Sequence, residues 1–210
     1  MDLTTVIDDE DKLIVGIVSN GINTAVDTYI QKRETKIKEE WETSFSYRIF
    51  GSKVDMNAGI YETIYFNEKR VTVDPELSFI VTEAYNILTK AGFRVERNQG
   101  IITIDIFDID SNLEVKSHYA VACDNMISSV DYHTCAFYTR KDDHVKGDLE
   151  IHAELPAYFL PVLFGKGKQI IIPTKQNMVV LRNGALYYKH EAHSGFGKKH
   201  ILSVHLRGLV

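Results

Sequence analysis

The spacing of hydrophobic positions changes character near residue 93. Before it, helical and extended periods alternate. Residues 12–19, KLIVGIVS, are a short β-branched run that predicts a strand, closed by Asn20-Gly21. Over 22–42, Ile22, Val26, Tyr29 and Ile30 fall on one helical stripe that Ile37 and Trp41 continue. The charged stretch KRETKIKEE within it reads as the solvated face of that helix. Residues 60–73, IYETIYFNEKRVTV, predict one or two strands around a turn at Asn67-Glu68. Asp74-Pro75 then supplies an N-cap and a first-turn proline. Leu77, Ile80, Val81, Ala84, Ile87 and Leu88 follow at helical spacing, and Gly92 suits the far end.

From 93 onward the pattern consists of short β-branched runs. They are FRVERN, IITIDIFDI, EVKSHYAVAC, YHTCAFYTR, GDLEIHAE, KQIIIPT, NMVVLRN, LYYKHEA and HILSVHLR, mostly separated by Gly, Asn, Asp or Lys. About eight strands at such spacing predict a sandwich or barrel-like core. A helical part followed by such a core is α+β. The expected organisation is one domain over 1–210. It has a helical N-terminal part with short strands at 1–92 and a β core at 93–210.

Composition narrows the function classes. The chain has 210 residues, 44% hydrophobic and 25% charged, with a formal net charge of −5. That is an ordinary globular balance without the basic footprint of a nucleic-acid binder. Cys123 and Cys135 are the two cysteines, too few for a disulfide framework. The start, MDLTTVIDDEDKLIVGIV, lacks a basic leader region, and no run reaches membrane-spanning length. An intracellular protein without membrane or nucleic-acid partners is the expectation. Oligomeric state is not legible.

A mononuclear non-haem iron site takes two imidazoles and one carboxylate, leaving positions open for other ligands. On a strand, His and Asp two residues apart face the same way, so His-x-Asp is a natural clip. The second His must come from a later strand, and a base beyond it can hold a carboxylate by a charge-assisted bond. Residues 100–207 resemble the 2-oxoglutarate/iron(II) dioxygenase superfamily, most closely its prolyl-hydroxylase branch. The likeness is carried by Asp124-Asn125, Thr134-Cys135-Ala136-Phe137-Tyr138, Gly147-Asp148-Leu149, Val179-Val180-Leu181, His190-Glu191 and Gly197-Lys198-Lys199. It implies a double-stranded β-helix core, with iron(II) and 2-oxoglutarate as cofactors. Oxidative decarboxylation of 2-oxoglutarate would be coupled to removal of a substrate hydrogen. The implied metal ligands are His118, Asp124 and His190. Lys199 would pair with the far carboxylate of 2-oxoglutarate and Tyr138 would hydrogen-bond it. The substrate, peptidyl or small, is not readable.

The His-x-Asp clip is interrupted. His118 and Asp124 stand six residues apart in HYAVACDN. Counting back from the Thr134–Tyr138 strand puts Ala122 in the His slot. Counting forward from IITIDIFDI puts Ala120 in the carboxylate slot. On one straight strand the two would lie roughly 20 Å apart, at about 3.3 Å per residue. Four readings stay open. The chain bends and all three ligands meet; His118-Tyr119-Ala120 resembles the iron halogenases, where the missing carboxylate admits halide; Asp124 and His190 bind metal with an outside ligand; or the fold is an inactive binding module. His133, His152, His193, His200 and His205 read as surface or packed residues, with His193 a substitute for His190. His190-Glu191-Ala192-His193 has the wrong spacing for a metalloprotease helix. Two cysteines without a C-x-x-C pair make a poor zinc site. Lys199 also fits a plain basic turn, and Tyr138 a core aromatic.

Overall fold

In the computed structural model, the described residues are 1–8, 12–43, 54–55, 59–109, 131–153, 168–184, 186–190 and 195–209. The elements in chain order are β1 (Asp2–Ile7), β2 (Leu13–Ile17), α1 (Asn20–Thr43), β3 (Val54–Asp55), β4 (Gly59–Asn67), α2 (Glu68–Val73) and α3 (Pro75–Lys90). Then come β5 (Val95–Ile109), β6 (Tyr132–Lys141), β7 (Leu149–Ala153), β8 (Lys168–Ile172), β9 (Met178–Asn183), β10 (Tyr187–His190) and β11 (Gly197–Gly208). An eight-stranded sheet runs β1-β2-β9-β6-β11-β5-β4-β3, and a three-stranded sheet runs β10-β7-β8. Every recorded pairing is antiparallel.

Two apolar layers hold this together. On one face of the large sheet, Ile102, Ile104, Ile106, Phe137, Val179, Leu202 and Val204 pack against Val26, Ile30 and Ile37 of α1 and Leu77, Ile80, Ala84 and Leu88 of α3. On the other face, Phe107, Ala136, Tyr138, Met178, Val180 and Ile201 meet Leu149, Ile151 and Ile172 of the small sheet. Strands covered on both faces lose the inside-outside alternation of a half-exposed sheet. That is why β9 has five successive buried residues, MVVLR. The arrangement is α+β, with a double-stranded β-helix core and helices from the N-terminal part laid against it.

The helix through Leu88 starts where the sequence places it. Asp74 accepts from the backbone N–H of Glu76 at 3.1 Å and of Leu77 at 3.0 Å. At its far end Gly92 takes φ +85°, which glycine adopts without steric cost. Other elements differ from the pattern. Residues 68–73 form α2, not a second strand, because the Asn67 side chain caps the turn by accepting from Arg70 N. FRVERN and IITIDIFDI join into the single strand β5, and β1 adds an edge strand the pattern did not announce. The large sheet draws four strands, β1 to β4, from the first 67 residues. The run EVKSHYAVAC lies outside the described residues.

Candidate active site

Register fixes which side chains look into the space between the sheets. Lys199 and Ile201 of β11 alternate with His200, which faces the helices. Pairing aligns Lys199 with Phe107 and Ile201 with Asp105 on β5. On the other side, Ile201 aligns with Tyr138 and His205 with Thr134 of β6. Thr134 in turn opposes Arg182 of β9. Facing the small sheet, then, are Phe107 and Lys199; Asp105, Ile201 and Tyr138; Thr103 and Ser203; and His205, Thr134 and Arg182.

The chain enters β11 through a tight turn that only glycine allows. Gly195 has φ +108°, and a Cβ there would sit 1.8 Å from the His144 carbonyl oxygen. The turn delivers Lys199 into the interior, fully buried. Its Nζ donates to the Gly147 carbonyl at 2.8 Å and lies 5.6 Å from the centroid of the Tyr138 ring. That distance is within cation–π range. Tyr138 is itself buried, which raises its phenol above the usual range. Beside them, Lys141 donates to the Thr174 carbonyl at 2.8 Å and pairs with Asp148 at 3.3 Å. Burial works to raise the Asp148 carboxyl, but the Thr174 N–H and the Lys141 charge outweigh it and hold it low.

Farther along the same face, His205 bridges two hydroxyls. Its Nδ1 is 2.9 Å from Thr134 Oγ1 and its Nε2 is 3.2 Å from Thr103 Oγ1. The Arg182 guanidinium lies 3.9 Å from the Tyr188 ring centroid. Asp105 stands between this group and Lys199. Burial pushes its carboxyl up to about 6, although His205, Arg182 and Lys199 all pull it down. Sequence reasoning missed Asp105, Arg182 and His205 as members of this face. The signal for Asp105 was the alternation in IITIDIF, where it shares parity with Thr103 and Phe107.

Among the metal residues implied by the sequence, His118 and Asp124 lie outside the described residues, as does His193. His190 is the last residue of β10, and its backbone pairs with Leu149 at the start of β7. Lys199 and Tyr138 share the inter-sheet face, and Lys199 is not a surface base. Of the remaining described histidines, His144 is exposed and the others are packed. His133 sits 5.2 Å from the Phe93 ring, and burial lowers it. His152 pairs with Glu150, and His200 with Asp27. Among the described residues, no three His, Cys, Asp or Glu side chains are grouped to hold a metal ion. No described helix is long and apolar enough to cross a membrane. Cys135 is buried, and burial raises its thiol well above the usual range. An amine and a phenol on one inter-sheet face are groups that can donate to a carboxylate.

No protein-family model and no curated protein sequence matches the chain. Solved structures do. The chain is similar to the non-heme alpha ketoglutarate dependent carbocyclase SnoK from nogalamycin biosynthesis, with TM-score 0.56 and 14% identity over 95% of this chain and 81% of that one. It is similar to the epimerase SnoN in complex with Fe3+, alpha ketoglutarate and nogalamycin RO, with TM-score 0.57 and 9% identity over 94% of this chain and 79% of that one. It is also similar to a prolyl 4-hydroxylase from Phytophthora capsici, with TM-score 0.54 and 14% identity; 93% of this chain covers 58% of that longer one. The chain therefore has the double-stranded β-helix fold of the iron- and 2-oxoglutarate-dependent oxygenases.

Proposed function

We propose that the chain is an iron(II)- and 2-oxoglutarate-dependent oxygenase of the hydroxylase kind, working as one domain. The observation that carries this reading is Lys199. Its ammonium is fully buried between the two sheets beside Tyr138, on the strand that follows β10 and His190. Asp105 and Asp148 both feel its charge, so this end of the inter-sheet space is already polar. The carbonyl of Gly147 satisfies one donor. The far carboxylate of a dicarboxylate cosubstrate would accept from Lys199 Nζ, and Tyr138 would add a hydroxyl donor to the same carboxylate.

The metal end of the site would be held by His190 with Asp124 and His118, which requires the HYAVACDN segment to bend. When bound, iron supplies the redox chemistry that couples decarboxylation of 2-oxoglutarate to oxidation of a substrate. The protein's own work is to bind and orient. Lys199 and Tyr138 would fix the far carboxylate, while Phe107, Leu149, Ile151, Ile172 and Ile201 form apolar surroundings that would exclude water. Asp105, Arg182 and His205 add polar groups on the same face, where a substrate would lie. The proteins of similar structure act on a small molecule or on prolyl residues, and the substrate here is proposed to be a peptidyl side chain or a small molecule.

Equilibrium dialysis of the full chain against iron(II) under anaerobic conditions, with and without 2-oxoglutarate, tests the reading. Retention of about one iron per chain is expected, strengthened by 2-oxoglutarate and lost in His190→Ala, since two ligands hold a divalent ion poorly. Retention unaffected by His190→Ala would remove the metal assignment.

A further inference from the structure

Lys199 is flanked in sequence by two residues that face the opposite side of the sheet, and both are held by acids of α1. His200, fully buried, has its Nδ1 2.8 Å from Asp27 Oδ1. Lys198 has its Nζ 3.2 Å from Glu34 Oε1. Asp27 and Glu34 are seven residues apart, two turns, and so lie on one face of α1. Lys198 and His200 are two residues apart and lie on one face of β11. The same helix face grips β6 as well. Thr139 Oγ1 donates to Asp27 Oδ1 at 2.8 Å, and Asn23 Nδ2 donates to the Thr139 carbonyl at 2.9 Å. Thr139 is the extra residue of a β-bulge, because Tyr138 pairs with Ile201 and Arg140 with His200. Bulges re-aim neighbouring side chains. This one lies between Tyr138 and the strand position of Lys199.

We propose that α1 is the positioning element of the cosubstrate pocket, with Asp27 and Glu34 holding His200 and Lys198 so that Lys199 between them points into the inter-sheet space. The proposal rests on the oxygenase reading for the identity of the ligand, but the aiming of Lys199 stands on contacts alone. Burial works to raise both acids, yet hydrogen bonds from His200 and Thr139 to Asp27, and from Lys38 and Lys198 to Glu34, outweigh it and keep both low. Both acids are therefore anionic at neutral pH and suited to accept from these donors. Asp27 also accepts from Gln31 Nε2 at 2.7 Å, which fixes its carboxylate on the helix surface. The part of the chain without family resemblance thus reaches the predicted anchor of the cosubstrate from behind.

Two readouts on the full chain test this. The first is 2-oxoglutarate affinity by calorimetry in the presence of manganese(II). The second is acetylation of Lys199 by acetic anhydride, followed by peptide mass spectrometry. In Asp27→Ala/Glu34→Ala, affinity should fall about tenfold, as expected for one mis-aimed charge-assisted contact, and Lys199 labelling should rise. Asp27→Asn keeps an acceptor oxygen and should restore most of both. Glu62→Gln weakens the contact of Arg33 on α1 with β4, away from Lys199, and should change neither. Unchanged affinity and labelling in the double variant, shown by urea unfolding to be folded, would overturn the proposal. So would an equal effect of Glu62→Gln, which would make helix docking in general the cause. If wild type binds no 2-oxoglutarate yet labelling rises in the double variant, the positioning holds and the oxygenase reading fails.

Discussion

Asp105→Asn is the substitution for which the fold makes the sharpest demand. The wild-type carboxyl faces the inter-sheet space from β5, and burial raises it from 3.8 to about 6. The unfolded chain returns it to its ordinary value. The native state therefore holds this proton more tightly than the unfolded state does. A raised acid destabilises when ionised: the cost is absent below about pH 4, grows between pH 4 and 6, and is complete above 6. At 1.36 kcal/mol per unit, the full cost is at most about 3 kcal/mol. The side chain keeps some contact with solvent, so part of that is screened. Asn removes the charge at nearly constant shape. The variant should be more stable than wild type at pH 8, by up to about 3 kcal/mol or roughly 6–12 °C in Tm for a chain of this size. At pH 4 the two should coincide. Urea unfolding and thermal melts at the two pH values measure both differences. A variant no more stable at pH 8, or a gain independent of pH, would refute the placement of Asp105 in poorly solvated surroundings between the sheets.

Two further outcomes follow from contacts on the same scaffold. Lys199→Ala should weaken 2-oxoglutarate binding by about 1.5–3 kcal/mol, roughly 10- to 150-fold, read by calorimetry; unchanged affinity would make the buried ammonium structural only. Asp74→Ala deletes the acceptor for the Glu76 and Leu77 N–H groups and should cost about 1 kcal/mol in urea unfolding, without altering ligand affinity.

Legibility in the sequence followed period and capping. The α3 stripe and its Asp-Pro start were readable because local signals and burial agree: Leu77, Ile80, Val81, Ala84, Ile87 and Leu88 are all buried. Residues 68–73 misled because EKRVTV has strand-like composition, while the decisive cap is a single Asn67 side chain. β5 was split at Gln99-Gly100, a pair that reads as a turn. In the fold Gly100 stays extended, and a Cβ there would lie 2.3 Å from the His205 carbonyl oxygen and 2.7 Å from the Phe66 ring. Within the candidate site, Lys199 and Tyr138 were singled out through the family resemblance. Asp27 and Glu34 were not. Their tie to His200 and Lys198 spans more than 160 residues, and on a helix they look like ordinary members of a charged face.

The central claim is that this chain oxidises a substrate with iron(II), oxygen and 2-oxoglutarate. Succinate release from 2-oxoglutarate by the purified chain, with iron(II) in air, tests it most directly, because slow turnover is expected even without the true substrate. The account predicts succinate from wild type and none from His190→Ala or His118→Ala. Loss in His190→Ala alone would leave a site with two protein ligands. No succinate from wild type, together with no retention of iron, would contradict the account and leave a double-stranded β-helix that binds a partner without chemistry.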